Sequence, residues 1–268
     1  MLKNVFLKTI YDKRRSILYW ALGLLLLAIT IEMFYPTVRD SQRAIQQFIF
    51  QALPENLTLA FAYDIQNFGT PIGFLNTEMF FFIVPMLVLI FTISSGSDAI
   101  AGEEEKGTLD LLLSFPLSRW RLVVEKAAAM VVLTVVLVFV LWVGLSIGAG
   151  IVKMDISLSR LGAMCLSTAL LGIDFGMLAL ALGCATGSRG LAIGGTAGLA
   201  LLSYFVNALS PVVDTVRHFQ NFSLFYYYIG GEPLVNGLNA GHVVIMLAVA
   251  AVILGLAILG FRRRDIRV

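Results

Sequence analysis

The sequence predicts an all-α membrane protein with six transmembrane helices. Apolar residues make up 59% of the 268 residues and charged residues only 13%, against about 25% charged in an ordinary soluble domain. The mean hydropathy is +0.89. Six apolar runs approach or exceed the roughly 20 residues that a helix needs to cross a bilayer. The runs are continuous rather than alternating, which favours helices over the strands of a β-barrel.

The six runs are predicted to form a single transmembrane domain over residues 1–268. In chain order, they cover residues 17–34, 74–94, 127–152, 161–186, 191–210 and 242–261.

The positions of the Lys and Arg residues predict the orientation, because cytoplasmic loops carry the excess of positive charge. With the N-terminus in the cytoplasm, fourteen of the nineteen basic residues fall on the cytoplasmic side. The five on the outer side are Arg39, Arg43, Lys153, Arg160 and Arg217. Both termini are therefore predicted to be cytoplasmic.

Two segments outside the runs have recognisable patterns. Residues 1–16 place apolar side chains among lysines, which predicts an N-terminal interfacial helix; a basic anchor for the first span is an equal alternative. Tyr226, Tyr227 and Tyr228 precede the sixth span and are typical of an aromatic belt at the lipid headgroups.

The segment between spans two and three is predicted to contain a short cytoplasmic helix. Gly107 interrupts the extension of span two, Thr108 is a good N-cap, and Pro116 stops the helix that follows. Leu109, Leu112 and Phe115 recur at a spacing of three and so share one face. Exposed leucines there need a partner, either lipid headgroups or a groove in another protein.

The same segment does not form a nucleotide site. Gly102 and Gly107 have the glycine spacing of a P-loop, but Thr108 stands where the lysine is required. Three consecutive glutamates between the glycines would also repel phosphate. The sequence contains no catalytic constellation and no metal-ligand spacing, and its net charge of +2 indicates no nucleic-acid partner.

The segment resembles the membrane subunit of an ABC-2 type transporter, the permease that works with a separate ATP-binding cassette protein. The matching positions are Glu103, Gly107, Thr108, Leu109, Leu112, Pro116, Ser118, Arg119 and Lys126. Glu125 departs from the pattern, since the family usually has glycine there. The six predicted spans and cytoplasmic termini extend the resemblance to the whole chain.

The resemblance implies that helix 109–115 is a coupling helix that transmits nucleotide-driven closure of the ATPase to the spans. The residues implied in coupling are Glu103, Glu104, Glu105, Gly107, Thr108, Leu109, Leu112, Phe115, Pro116, Arg119 and Lys126. It also implies efflux across the plasma membrane of a bacterium or archaeon, with ATP and Mg²⁺ on the cassette subunit and no cofactor on this chain. A second permease copy, identical or related, completes the assembly in the bilayer.

Polar residues within the spans are candidates for the substrate path because they are costly in lipid. Glu32 lies near the outer end of span one, where its side chain can extend to water. Asp174, in the middle of span four, is equally consistent with a substrate contact and a structural hydrogen bond. Asn207 in span five favours helix packing. Asp174 alone supports the alternative function, an ion-coupled secondary transporter with no ATPase partner.

Overall fold

The computed structural model describes residues 4–42, 44, 67–109 and 118–264. Within these ranges it is helical without strands and contains six helices long and apolar enough to cross a membrane. The main helices of the six spans are α1 (Val5–Met33), α2 (Ile83–Ala99), α3 (Arg119–Ile151), α4 (Leu158–Thr186), α5 (Arg189–Leu209) and α6 (Ala240–Arg263). The predicted all-α class with six spanning helices is confirmed, and the chain is a multi-pass membrane protein.

The six helices form one bundle with α4 at its centre. α4 packs against α2, α3, α5 and α6, whereas α1 lies at the edge and packs mainly on α3. Both described ends of the chain, Asn4 and Arg264, lie at the same end of the bundle, together with the starts of α3 and α5. We call this the basal end and the opposite one the distal end.

α1 is longer than the predicted first span and includes the segment predicted as a separate interfacial helix. Its 29 residues extend about 43 Å, whereas the hydrocarbon core is about 30 Å thick. No separate helix forms from Val5 onward, because neither Gly nor Pro interrupts the sequence before Gly23. At the helix start, the Glu125 carboxylate of α3 accepts hydrogen bonds from the N–H groups of Val5 and Phe6 at 2.9 and 3.2 Å. The departure from the family pattern at Glu125 therefore fixes α1 to α3.

α3 also extends beyond its predicted span at the basal end. It begins at Arg119 rather than at residue 127 and contains 33 residues, a length of about 50 Å. Ser118 occupies the N-cap position, but its side chain makes no capping hydrogen bond. The charged residues at the start of α3 lie on this basal extension, before the apolar run of the span begins.

The second span is interrupted near the distal end. It begins with the short helix Pro71–Leu75 and a π-helical turn, Asn76–Phe80, before α2 starts at Ile83. Pro85 explains the interruption, because it has no N–H to offer the carbonyl group of Phe81 and its ring would clash with that carbonyl in a regular helix. The predicted second span is therefore two helical pieces joined by a distorted turn.

Tyr228 lies in the distal connection between α5 and α6, where the sequence predicts an aromatic belt. The short helix Leu224–Ile229 packs against α4, α5 and α6, and Tyr228 is only 1% exposed. Its hydroxyl donates to the Phe80 carbonyl oxygen at 2.8 Å, and the Ser167 hydroxyl donates to the Tyr228 carbonyl at 2.7 Å. The belt prediction is wrong for Tyr228, whose hydroxyl binds a carbonyl where the regular helical pattern of span two is lost.

Candidate functional site

The residues predicted to couple the chain to a partner follow directly after α2 at the basal end. The backbone changes direction at Ile100, where φ is −120°, and continues as the short helix Ala101–Glu105. We call this the acidic helix, since its last three residues are glutamates. Gly107 follows it with a left-handed φ of +67°, a conformation that strains a residue with a side chain. Gly107 therefore follows the end of the acidic helix, whereas the helix of span two already ends at Ala99.

Glu103 joins the acidic helix to α3. Its Oε1 accepts a hydrogen bond from Lys126 Nζ at 2.6 Å, and its Oε2 accepts one from the Thr108 hydroxyl at 2.5 Å. Burial disfavours the charged carboxylate, but the hydrogen bonds from Lys126 and Thr108 outweigh burial and lower the pKa of Glu103 below its ordinary value. The Lys126 side chain is 7% exposed. The pair is therefore shielded from much of the screening that weakens surface ion pairs.

Glu104 and Glu105 join the acidic helix to two further long helices. Glu104 pairs with the guanidinium group of Arg264, which directly follows α6. Arg264 also donates to the carbonyl oxygen of Cys184 in α4 at 3.4 Å. Oε1 of Glu105 accepts a hydrogen bond from the backbone N–H of Arg189 at 2.9 Å. This contact places a carboxylate at the positive end of the α5 dipole.

Asp98, in the last turn of α2, forms an ion pair with α1 and so connects α1 to the same group of charged residues. Its carboxylate lies 3.2 Å from Lys13 Nζ, 3.0 Å from Lys106 Nζ and 3.9 Å from Arg189 Nε. The acids and bases described so far form one group, which we call the basal network. Its members are Asp98, Glu103, Glu104, Glu105, Lys13, Lys106, Lys126, Arg189 and Arg264.

Arg119 anchors the chain on the far side of the predicted coupling helix. Its guanidinium group donates to the backbone carbonyl oxygens of Arg264 at 2.9 Å and Phe261 at 3.4 Å. The acidic helix precedes the predicted coupling helix and Arg119 follows it. Both flanks of that helix are therefore fixed to the long helices of the bundle.

Leu109 is at the start of the predicted coupling helix. It is 1% exposed and belongs to an apolar cluster with Val5, Ile100 and Leu122. The predicted partner-facing surface therefore does not include Leu109, which packs into the chain's own core. The other predicted contact residues lie among residues 110–117, outside the described residues: Leu112, Phe115 and Pro116.

Two carboxyl groups within the spans have no hydrogen-bond partner among the described residues. Glu32, in the last turns of α1, is fully buried, and a Cβ added at Gly148 of α3 would overlap its carboxyl group. Its predicted extension to water does not occur. Asp174 is 1% exposed in the middle of α4, and no described residue supplies the structural hydrogen bond that the sequence left open. Buried carboxyl groups without partners cost free energy, which makes both residues candidates for function.

Asn207 lies near the distal end of α5 and is half-buried. Its backbone carbonyl accepts a hydrogen bond from the Ser210 hydroxyl at 2.9 Å. Glu32, Asp174 and Asn207 lie on three different helices. The carboxyl groups of Glu32 and Asp174 form no hydrogen bond with each other or with Asn207.

Several members of the basal network are not among the predicted site residues. Lys13, Asp98, Arg189 and Arg264 all lie within a few residues of an apolar run. Lys13, Arg189 and Arg264 contribute to the sequence prediction only through the count of basic residues that sets the orientation. Their positions could have identified them as members of one network. The ends of several helices on the same side of a membrane lie close together, and so do the charged residues at those ends.

A sequence model described as "ABC-2 family transporter protein" matches residues 3–266. No curated protein matches the chain.

Proposed function

Since the chain belongs to the ABC-2 family of transporter proteins, we propose that it is the translocation subunit of an ATP-driven exporter in the plasma membrane. A separate ATP-binding cassette subunit holds ATP and Mg²⁺ and hydrolyses the nucleotide, while this chain binds no cofactor. A second permease subunit, identical or related, completes the substrate path.

The basal network is the observation that supports ATP-driven coupling. The acidic helix and Asp98 are linked to α1 through Lys13, to α3 through Lys126, to α5 through Arg189 and to α6 through Arg264. Because these links are short and partly shielded from water, a displacement of the acidic helix displaces the basal ends of four spans. A cassette subunit that moves the neighbouring coupling helix thereby moves the bundle.

The coupling helix has two kinds of residue in this mechanism. Leu112 and Phe115 contact the cassette subunit, whereas Leu109 anchors the helix start in the apolar cluster. Gly107, Thr108 and Pro116 set the limits of the helix. Arg119 holds its far flank through the backbone after α6.

The basal end faces the cytoplasm in this proposal, because the excess of Lys and Arg lies there. We expect Leu112→Cys, in a chain lacking Cys165 and Cys184, to resist an impermeant thiol reagent in intact spheroplasts and to react after permeabilisation. Leu238→Cys, at an exposed leucine of the distal end, is the matched control and should react without permeabilisation. The reverse labelling pattern would show that the orientation is inverted.

Asp174, Glu32 and Asn207 remain proposed substrate-path residues, and Asp174 gives the sharpest test. Asp174→Asn removes a charge but keeps the size of a carboxyl group that has no described partner. We expect its melting temperature to be unchanged or higher, and the substrate-dependent ATPase activity of the transporter to fall about tenfold or more. Both quantities are measured on the same purified complex. A variant with normal activity would remove Asp174 from the substrate path.

Purification of the tagged chain from its native membrane tests the proposed function. We expect an ATP-binding cassette protein to co-purify in near-stoichiometric amount and the complex to hydrolyse ATP in proteoliposomes. A catalytically inactive cassette subunit is the control for contaminating ATPases. Transport by the purified chain alone, driven by an ion gradient, would contradict the proposal.

A further inference from the structure

A cavity of about 440 Å³ lies at the basal end between α1, α2 and α3. The residues that α1 contributes to its wall are all polar: Lys8, Thr9, Asp12, Lys13 and Ser16. Their spacing of one, three and four residues places them on one face of the helix. The basal part of α1 therefore turns its polar face towards this cavity, which is open enough to leave Lys8, Asp12 and Ser16 exposed.

The opposite face of the same part of α1 is partly apolar and exposed. Leu7, Tyr11 and Leu18 are 44%, 52% and 55% exposed. This arrangement is the reverse of a surface helix in a soluble protein, whose apolar side faces the core. The outward side chains suit lipid, whereas the inward face requires water or a polar ligand in the cavity.

Positive charge predominates around the cavity. Four lysines and three acids line it. Asp98 is shared between Lys13 and Lys106 and also lies near Arg189. Lys8 and Asp12, one turn apart on α1, form no ion pair with another described residue, so the count leaves an excess of one positive charge. The cavity therefore offers basic groups that its own carboxylates do not fully neutralise.

The cavity becomes apolar towards the middle of the bundle. Met130 and Leu133 of α3 line its inner part, one and two turns beyond Lys126. Its volume lies within the range of about 300–1,000 Å³ that is typical of small-ligand sites. A ligand that fits this wall has a negatively charged group at one end and an apolar group at the other.

We propose that this cavity binds the phosphate-bearing headgroup of an anionic phospholipid from the leaflet at the basal end. Basic pockets between membrane helices bind such headgroups. Lys8 and Lys13 contact the phosphate, and Met130 and Leu133 contact the start of the acyl chains. Because Lys13 also belongs to the basal network, the lipid holds the start of α1 against α2 and α3.

Native mass spectrometry of the purified full-length chain, titrated with phosphatidylglycerol in detergent, tests this proposal. We expect one preferentially retained lipid and, for Lys8→Gln, an affinity about fivefold lower. Arg14→Gln is the matched control, because it removes one positive charge from the same helix at a residue that does not line the cavity. This control should bind like the unmodified chain. Lys8→Gln breaks no described ion pair, and an unchanged elution volume verifies its fold.

Two further measurements distinguish a phospholipid headgroup from a free phosphate as the bound group. Phosphatidylcholine should be retained at least tenfold less well, and millimolar glycerol phosphate or inorganic phosphate should not displace phosphatidylglycerol. Displacement by a soluble phosphate would show that the cavity recognises free phosphate instead of lipid. Equal weakening by Lys8→Gln and Arg14→Gln, or by neither, would exclude the cavity as the lipid site. None of these measurements needs nucleotide or a cassette subunit, so their result is independent of the proposed transport function.

Discussion

Glu103→Ala is expected to lower the free energy of unfolding by about 3 kcal/mol, because it leaves the buried Lys126 ammonium group without its partner. The side chain of Glu103 is 20% exposed and that of Lys126 only 7%, so the remaining charge cannot readily reach water. Loss of the pair also disconnects the acidic helix from α3, and we expect stimulation of the cassette ATPase to disappear. Unfolding in mixed micelles measures the first effect, and ATP hydrolysis measures the second.

A double-mutant cycle separates the ion pair from local effects of the substitution. Glu103→Ala combined with Lys126→Met removes both charges and should recover at least about 2 kcal/mol relative to the sum of the single changes. Glu105→Ala is the matched control, because among the described residues this exposed carboxylate accepts a hydrogen bond only from a backbone N–H, and it should cost less than about 1 kcal/mol. A normal unfolding free energy for Glu103→Ala would show that the pair does not hold the basal end together.

Leu112→Asp is expected to abolish association with the cassette subunit while leaving the permease in the membrane. A charge placed in the apolar part of an interface is desolvated without a partner and costs about 2–5 kcal/mol. The affinity should therefore fall about 30-fold or more. Pull-down of the cassette subunit and stimulation of its ATPase activity measure the effect.

Leu238→Asp is the matched control for this change, because Leu238 is an exposed leucine at the distal end. Its association with the cassette subunit should be unchanged. If Leu112→Asp retains both binding and stimulation, the segment between α2 and α3 is not the coupling element.

The six helices could be predicted from sequence because lipid leaves a continuous apolar chain few alternatives to a helix. The helix limits were harder to predict. α1 and α3 extend past their apolar runs to Val5 and Arg119, since charged residues outside the hydrocarbon core do not end a helix. Pro85 was a visible signal for the interruption of span two, because it leaves the Phe81 carbonyl without a helical donor. The sequence did not reveal that Tyr228, from a distant segment, binds the neighbouring carbonyl of Phe80.

In the candidate site too, the local sequence identifies individual residues but not the contacts that tertiary packing creates between them. The sequence motif identified Glu103 and Lys126, but it did not reveal that they bind each other at 2.6 Å. That pairing depends on how α3 stands beside the end of α2. Leu109 similarly belongs to an apolar pattern that suits both a partner surface and the core, and only the packing around Val5 and Ile100 distinguishes them.

The bond from Tyr228 to Phe80 has a consequence for the order in which the protein assembles during synthesis. The two residues are 148 positions apart, so at about 5–20 residues per second the ribosome completes Tyr228 about 7–30 s after Phe80. Throughout that interval, the distal part of span two lies in the translocon or the bilayer without its hydroxyl donor. The contact between Lys13 and Asp98 at the basal end can form much earlier. The distal part of the second span therefore reaches its final form only after the fifth helix has been synthesised, whereas the contact between Lys13 and Asp98 does not depend on it.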